Sequence, residues 1–221
     1  VVRSALVANH EVGIFSRGGT VRVEGTVVRD TAERPADGAM GMGILSECGA
    51  DGSCGSLTVT DSLVAGNRVA GIQSVGVALA VEGSVIEDTL AAQGDGRFGI
   101  GISAGCVDPE ACSPVTVTRS QVRRSREVGV SLGSLEATVI DSVIEDTLGE
   151  EASGDRGYGV SGYCAPEMDT CGRIVVTGCV VRRSSTVGLM VEGPDLEVIS
   201  SSIDETRSRP GDLAGGRGIV A

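Results

Sequence analysis

The sequence predicts an all-β solenoid, in which the chain winds into about seven to eight stacked coils of short strands. Three observations predict it. A pattern recurs along the whole chain, apolar and polar residues alternate within each copy, and the 221 residues include 34 Gly but only two Phe, two Tyr and no Trp. Val, Ile and Leu are spread evenly, which suits a thin, extended core. We therefore expect one domain over residues 1–221.

The repeat is a pair of coils, one of about 22 residues and one of about 36. Segments that share a pattern recur after 58, 58 and 59 residues, starting at Thr20, Ala78, Glu136 and Asp195. Shorter segments alternate with them, starting at Ser56, Pro114 and Arg173. Alternating apolar residues indicate strands, and small polar residues mark bends. Stacking would pair each strand with those above and below it, about 4.8 Å away.

Two rows of small polar residues fall at the bends when the coils are aligned. The first ladder is Ser4, Thr26, Ser62, Ser84, Ser120, Ser142, Cys179 and Ser201. The second ladder is Asn9, Thr31, Asn67, Thr89, Ser125, Thr147, Ser184 and Thr206. Hydroxyl and amide groups at bends bond to neighbouring backbone, so both ladders are expected to satisfy polar groups where the chain changes direction.

With these motifs, of which SLTVTDSLVAGN followed by Gly71-Ile72 is typical, the chain resembles the right-handed parallel β-helix repeat proteins. Pectate lyases share this superfamily shape with many non-enzymatic bacterial surface proteins. The resemblance covers the whole chain and implies a right-handed parallel β-helix with a two-coil repeat of about 58 residues. Pectate-lyase-like enzymes carry a cleft of acidic calcium ligands and a basic proton abstractor, and the related hydrolases carry clustered Asp and His. Neither constellation is found here, so we expect the non-enzymatic secreted or surface branch, with no catalytic residue.

Paired carboxylates are the first candidates for chemistry, because two adjacent acids suggest acid/base catalysis. They alternate along the stack with paired arginines, in the order Glu87-Asp88, Arg123-Arg124, Glu145-Asp146, Arg182-Arg183 and Asp204-Glu205. Opposite charges one coil apart are neighbours in a sheet. The pattern therefore predicts a ladder of ion pairs and not a catalytic site.

Six of the seven cysteines form pairs within inserted loops: Cys48 with Cys54, Cys106 with Cys112, and Cys164 with Cys171. Equivalent loops lie two coils apart, about 9.6 Å, which exceeds the reach of a disulfide, so pairing within each loop is favoured. Zinc is the alternative, but each loop lacks further ligands and His10 is the only histidine. Disulfides predict an oxidising, extracellular or cell-surface location. Cys179 takes a first-ladder position, where we expect a buried thiol in place of a hydroxyl.

The cysteine loops also carry carboxylates and no basic residue. They are Glu47, Asp51, Asp108, Glu110, Glu167 and Asp169. Carboxylate oxygens can bind Ca²⁺, so these are weak calcium candidates, and solvated acidic loops are the alternative because no recognised calcium motif is present. No other metal or cofactor is expected. The second, Gly-rich insertion of each long coil, as in QGDGRFGIGI, is predicted to be a flexible connection.

The net charge and the hydropathy of the chain argue against two kinds of partner, nucleic acid and the interior of a membrane. A net charge of −12 without a basic stretch argues against nucleic acid, and no apolar run is long enough to span a membrane. The chain starts and stops within a coil, so flanking repeats or identical subunits are expected at its uncapped ends, in a longer solenoid or a fibre. We expect a non-catalytic extracellular scaffold for adhesion or filament assembly, with surface polysaccharide or protein as partner. The alternatives are a polysaccharide lyase, epimerase or hydrolase domain and a calcium-dependent binding module.

Aromatic residues are few, and sugar-binding clefts tend to use aromatic faces. Only Phe15, Phe98, Tyr158 and Tyr163 are available. Tyr158 and Tyr163 lie near a cysteine loop, where they could mark a small binding patch or serve packing alone.

Overall fold

A computed structural model describes residues 1–106, 112–133, 136–164, 171–208 and 215–221. These residues form 23 strands and no helix, and each of the first seven coils contributes one strand to each of three parallel sheets, while the last contributes to two of them. The chain is thus a right-handed parallel β-helix of seven to eight coils, and the fold class predicted from the sequence is confirmed.

The strands are numbered in chain order, and every third strand belongs to the same sheet. Sheet 1 contains β1 (Ala5–Val7), β4 (Val27–Arg29), β7 (Leu63–Ala65), β10 (Val85–Glu87), β13 (Gln121–Arg123), β16 (Val143–Glu145), β19 (Val180–Arg182) and β22 (Ser202–Asp204). Sheet 2 contains β2 (Val12–Arg17), β5 (Met42–Glu47), β8 (Ala70–Val75), β11 (Ile100–Gly105), β14 (Val128–Gly133), β17 (Tyr158–Tyr163), β20 (Val187–Glu192) and β23 (Arg217–Val220). Sheet 3 contains β3 (Val21–Glu24), β6 (Ser56–Thr60), β9 (Ala78–Glu82), β12 (Val115–Thr118), β15 (Ala137–Ile140), β18 (Arg173–Thr177) and β21 (Asp195–Ile199).

The core is a column of apolar side chains enclosed by the three sheets. Val64, Ile86 and Val122 lie in register at the centres of successive sheet 1 strands and are fully buried. Leu57 and Leu79 are paired in the same way in sheet 3. Each coil places only a few apolar residues inside, so it buries them only against its neighbours. This explains the even spread of Val, Ile and Leu along the sequence.

The first ladder is a continuous chain of hydrogen bonds between coils. The Ser62 hydroxyl donates to the carbonyl of Thr60 (2.7 Å) and accepts from the amide of Thr26 (3.1 Å). The Ser62 amide in turn donates to the Ser84 hydroxyl (3.1 Å). The same pattern continues along the ladder, as the sequence predicted. Each small polar residue therefore forms hydrogen bonds with backbone groups at the bends of two neighbouring coils.

Cys179 fills its ladder position as expected. Its thiol donates to the carbonyl of Thr177 (3.3 Å), and its amide donates to the Ser201 hydroxyl (3.1 Å). Burial raises the pKa of the Cys179 thiol, which keeps the group protonated and able to donate.

The second ladder is satisfied only in part. Asn67 accepts from the amide of Thr31 (3.0 Å) and donates to the carbonyl of Val28 (3.2 Å). In contrast, the buried hydroxyls of Thr31, Ser125 and Ser184 find no partner among the described residues. The expectation that this ladder satisfies polar groups is therefore only partly correct. Its residues are small because they pack against a row of glycines in sheet 2.

That row holds the second residue of each sheet 2 strand: Gly13, Gly43, Gly71, Gly101, Gly129, Gly159, Gly188 and Gly218. A Cβ at Gly71 would lie 2.6 Å from the carbonyl oxygen of Gly101, 2.8 Å from Cγ2 of Ile86 and 3.3 Å from the Thr89 hydroxyl. Real Cβ atoms do not approach this closely, so only glycine fits between the second ladder and the next coil. This close approach explains the recurrent Gly-Ile and Gly-Val of the sequence.

Two of the three paired carboxylates form the predicted ion pairs, whereas the third, Asp204-Glu205, has within the described chain only a 3.9 Å contact between Glu205 and Arg183. Arg123 contacts Glu87 at 2.6 Å, and Arg124 contacts both Glu87 (2.8 Å) and Asp88 (2.6 Å). Arg182 and Arg183 repeat the arrangement with Glu145 and Asp146. Each arginine pair thus binds the acidic pair one coil before it. Hydrogen bonds from Arg124 and Arg183 lower the pKa of Asp88 and Asp146, respectively.

These ion pairs make the stability of the folded chain depend on pH in acidic solution. The folded-state pKa of Asp88 and of Asp146 lies below the ordinary value of 3.8. Their contribution to the free energy of unfolding is therefore complete at pH values above 3.8 and is lost as the pH falls through the lowered pKa. The double variant Arg124→Gln/Arg183→Gln should lose only a little stability at pH 7, since the pairs are partly exposed and solvent screens them. Its melting temperature should also fall less steeply than that of the wild type below about pH 4. Parallel melting curves against pH for the two proteins would contradict this.

The disulfides join the cysteines within each loop, as predicted. The bonds are Cys48–Cys54, Cys106–Cys112 and Cys164–Cys171, with Cα–Cα distances of 4.4, 4.9 and 5.6 Å. Each closes a short loop that connects sheet 2 to sheet 3.

Removing one disulfide should destabilise the chain modestly. Because a bond across so short a loop restricts the unfolded chain only slightly, we expect Cys48→Ser/Cys54→Ser to lower the free energy of unfolding by about 2 kcal/mol, measured in urea. Cys179→Ser is the control, since serine is the usual residue of the first ladder, and we expect it to change stability little. An unchanged free energy of unfolding in Cys48→Ser/Cys54→Ser would show that the bond itself contributes nothing.

Candidate binding groove on the outer face of sheet 2

Loops border sheet 2 along both of its long sides. In every second coil a long connection leads from sheet 1 into sheet 2, and we call residues 30–41, 88–99 and 146–157 the entry loops. The cysteine loops leave sheet 2 on its other side, beginning at Cys48, Cys106 and Cys164. The outer face of sheet 2 is therefore the floor of a channel between two rows of loops.

The entry loops contact one another and form a continuous wall. The Glu33 carboxylate of the first loop accepts from the amide of Gln93 in the second (2.6 Å). The amide of Ala152 in the third loop donates to the carbonyl of Gly96 (3.2 Å), and Arg97 pairs with Glu150 (3.2 Å). Hydrogen bonds thus tie each entry loop to the next, and the flexibility predicted for these Gly-rich connections stays a prediction.

The floor of the groove is a row of small polar side chains. Ser103, Ser131 and Ser161 are partners in register on three successive strands. Gln73 extends the row on one side and Met190 ends it on the other. Successive coils therefore present hydroxyl groups about 4.8 Å apart, each able to donate and to accept a hydrogen bond.

Tyr163 covers the part of the floor nearest the cysteine loops. Its strand partner is Gly133, which is in turn the partner of Gly105. A Cβ at Gly133 would lie 2.6 Å from the phenol of Tyr163, so the ring occupies the space that a side chain would take there. Tyr163 remains 45 % exposed. The two glycines thus let one aromatic ring extend across neighbouring coils while a face stays open to a ligand.

Phe98 and Tyr158 line the opposite side, next to the entry loops. The buried carboxylate of Glu127, 1 % exposed, holds this side in place. It accepts from the amide of Phe98 (2.8 Å) and forms an ion pair with Arg156. The Glu127 carbonyl also accepts from the amide of Gly157 (2.9 Å). One residue therefore fixes two entry loops to the edge of sheet 2.

The groove has a volume of about 730 Å³. Its lining extends from Met42 on β5 to Met190 on β20, which spans five strand spacings, about 24 Å. The groove runs along the stack, and its shape suits an extended ligand. It is wider than the patch expected from Tyr158 and Tyr163 alone. Phe15, the fourth aromatic residue, lies outside it, with the Arg17 guanidinium 5.3 Å from its ring centre.

Sequence reasoning missed Glu127 and the serine row. Glu127 directly precedes the sheet 2 strand, at the position that holds Val69 and Thr186 in two other short coils. The first coil also has a carboxylate there, Glu11, so the available signal was a charge at this position in two of the four short coils. The serines were hidden because the sequence does not reveal which residues of a sheet 2 strand face outward.

The calcium candidates are only partly described. Glu47 forms an ion pair with Arg17 (2.5 Å), and Asp51 accepts hydrogen bonds from the amide and the hydroxyl of Ser53. Those bonds lower the pKa of Asp51. The other four candidates, Asp108, Glu110, Glu167 and Asp169, lie outside the described residues. Within the described part of the chain, no three His, Cys, Asp or Glu side chains converge on a point that could hold a metal, so calcium binding stays a prediction.

Comparisons with protein-family models, with curated proteins and with solved structures found no match. The description of the chain as a right-handed parallel β-helix therefore rests on the arrangement of its own strands. In the residues that the structure describes, no helix is long and apolar enough to cross a membrane. The geometry of the groove is accordingly the basis for inferring a function.

Proposed function

We propose that this chain is a non-catalytic extracellular β-helix scaffold that serves adhesion by binding an extended glycan in the groove of sheet 2. The observation that carries the proposal is the juxtaposition of a serine floor, which recurs in three successive coils, with exposed aromatic rings on both sides.

The chemistry of the groove fits a sugar polymer. Each sugar unit presents several hydroxyl groups, which the hydroxyls of Ser103, Ser131 and Ser161 can both donate to and accept from. Sugars also have apolar C–H faces, against which an aromatic ring such as Tyr163 supplies a large contact area. A polymer with a regular repeat can make the same contacts in successive coils, so weak single contacts add along its length.

The charges favour a neutral glycan over a polyanion. Glu127 and Arg156 neutralise each other in their ion pair, and Glu192 adds a negative charge to the lining. The whole chain carries −12, so its field repels anionic polymers at low salt. A neutral polysaccharide incurs no such repulsion.

The disposition of carboxylates supports a binding role. Glycoside hydrolysis ordinarily uses two carboxyl groups that flank the scissile bond. Glu127 and Glu192 are the carboxylates of the groove lining. Glu127 is buried and already bonded to the Phe98 amide and to Arg156, so its carboxylate is not open to a substrate. The three disulfides support an oxidising, extracellular setting.

Binding to an array of neutral and acidic polysaccharides, followed by analysis of the incubated glycans, tests this proposal. We expect saturable binding to neutral chains, weaker binding to acidic ones, and glycans of unchanged length after incubation. Absence of binding to every glycan would contradict the adhesive role. Release of shortened or unsaturated fragments would instead favour the polysaccharide-acting alternative.

A further inference from the structure

A second cavity lies outside the groove, between the entry loops 88–99 and 146–157, and has a volume of about 500 Å³. Loop residues form most of its wall, and Arg68 and Arg126 reach it from the short coils. We call it the arginine pocket. Its volume is in the range of small-molecule sites.

The two arginines reach the pocket because they hold equivalent positions in the repeat. Each lies two residues before a sheet 2 strand, β8 for Arg68 and β14 for Arg126, so their backbones are two coils apart, about 9.6 Å. Leu90 belongs to the coil between them and forms a bridge to Arg68. The two side chains thus flank a partly apolar floor provided by Leu90 and Ala92.

Neither arginine is neutralised. Twelve other arginines of the described chain form ion pairs with carboxylates. Arg68 donates instead to the carbonyl of Ala91 (2.8 Å), which leaves most of its donors unused. The guanidinium of Arg126 makes no hydrogen bond or ion pair with the described residues, although its stem packs closely beside Gly99. Arg3, Arg207 and Arg217 form no ion pair with the described residues either, but Arg68 and Arg126 line one cavity, and in a chain of net charge −12 that arrangement favours an anionic partner.

We infer that the arginine pocket binds the oxyanion group of a small acidic molecule, a carboxylate or a sulfate, between Arg68 and Arg126. A guanidinium presents paired N–H donors that match the oxygens of such a group. The amide side chain of Gln93, on the same wall, can supply a further donor, and Leu90 can contact an apolar part of the ligand. Glu151 also lines the pocket and opposes the anion by like charge. The inference is independent of glycan binding, because the arginine pocket and the groove have no lining residue in common.

Titration with inorganic sulfate and with glucuronate, each at constant ionic strength and followed by calorimetry or NMR, tests the inference. We expect saturable binding of at least one anion, and the pair of probes tells sulfate from carboxylate recognition. Arg126→Gln should weaken binding about tenfold, the loss of one charge-assisted hydrogen bond. Glu151→Gln should strengthen it by removing the opposing charge.

Arg3→Gln is the matched control, since Arg3 also lacks an ion pair but lies far along the chain from the pocket. We expect it to bind like the wild type. No saturable binding of either anion, unchanged affinity in Arg126→Gln, or an equal loss in Arg3→Gln would each overturn the inference. Gln retains part of the arginine stem, and an unchanged melting temperature for Arg126→Gln would confirm that the variant is folded.

Discussion

Replacing Gly71 with alanine should lower the free energy of unfolding by about 2 to 3 kcal/mol, a large effect for one methyl group. The added Cβ would meet the carbonyl oxygen of Gly101, Cγ2 of Ile86 and the Thr89 hydroxyl at 2.6, 2.8 and 3.3 Å. The first contact is with the backbone of the next coil, which can retreat only by breaking the pairing of β8 with β11. Urea or thermal unfolding of the variant measures the loss.

Gly94→Ala is the matched control for this prediction. A Cβ at Gly94 meets no atom within 4 Å, so the substitution adds the same methyl group without a clash. We expect it to be neutral or slightly stabilising, because alanine restricts the unfolded chain. If Gly71→Ala unfolded like Gly94→Ala, the close stacking of the coils at the glycine row would be wrong.

The second large effect concerns ligand binding. Tyr163→Ala should weaken the binding of a neutral glycan by about tenfold or more, because it removes the aromatic face that extends over Gly133, and no other aromatic ring can replace it there. Tyr163→Phe keeps the ring and should retain most of the affinity. Dissociation constants for the wild type and both variants provide the comparison.

Phe15→Ala controls for the loss of any exposed aromatic residue. Phe15 projects from the outer face of the same sheet and is 52 % exposed, but it lies outside the groove. We expect its removal to leave glycan affinity unchanged. Equal losses in Tyr163→Ala and Phe15→Ala would show that general surface hydrophobicity, and not the groove, captures the ligand.

Much of the fold could be predicted from the sequence because the same pattern of residues recurs in every coil of a solenoid. Ser62 and Ser84 recur at equivalent places, and their bonding follows from that alignment. The ion pairs of Arg124 and Arg183 followed in the same way from alternating charge. The sequence showed Gly71 as part of a recurrent motif. Only the coordinates explain why glycine is required there: a Cβ would lie 2.6 Å from a carbonyl oxygen of the next coil.

The groove could not be predicted because it departs from the repeat. The register of three strands makes neighbours of Tyr163, Gly133 and Gly105. None of the three stands out in the sequence of its own coil. Glu127 acts between two loops that are distant in sequence. The entry loops share an initial Asp-Thr and a final Gly but vary in the residues between, so the hydrogen bonds that join one loop to the next leave no periodic signal.

A crystal structure of the protein with a bound neutral oligosaccharide tests the central claim most directly. The sugar chain should run along the stack over Ser103, Ser131 and Ser161, with one sugar ring against Tyr163. A chain bound on sheet 1 or sheet 3, or held only by a cysteine loop, would contradict the assignment of the groove as the functional site.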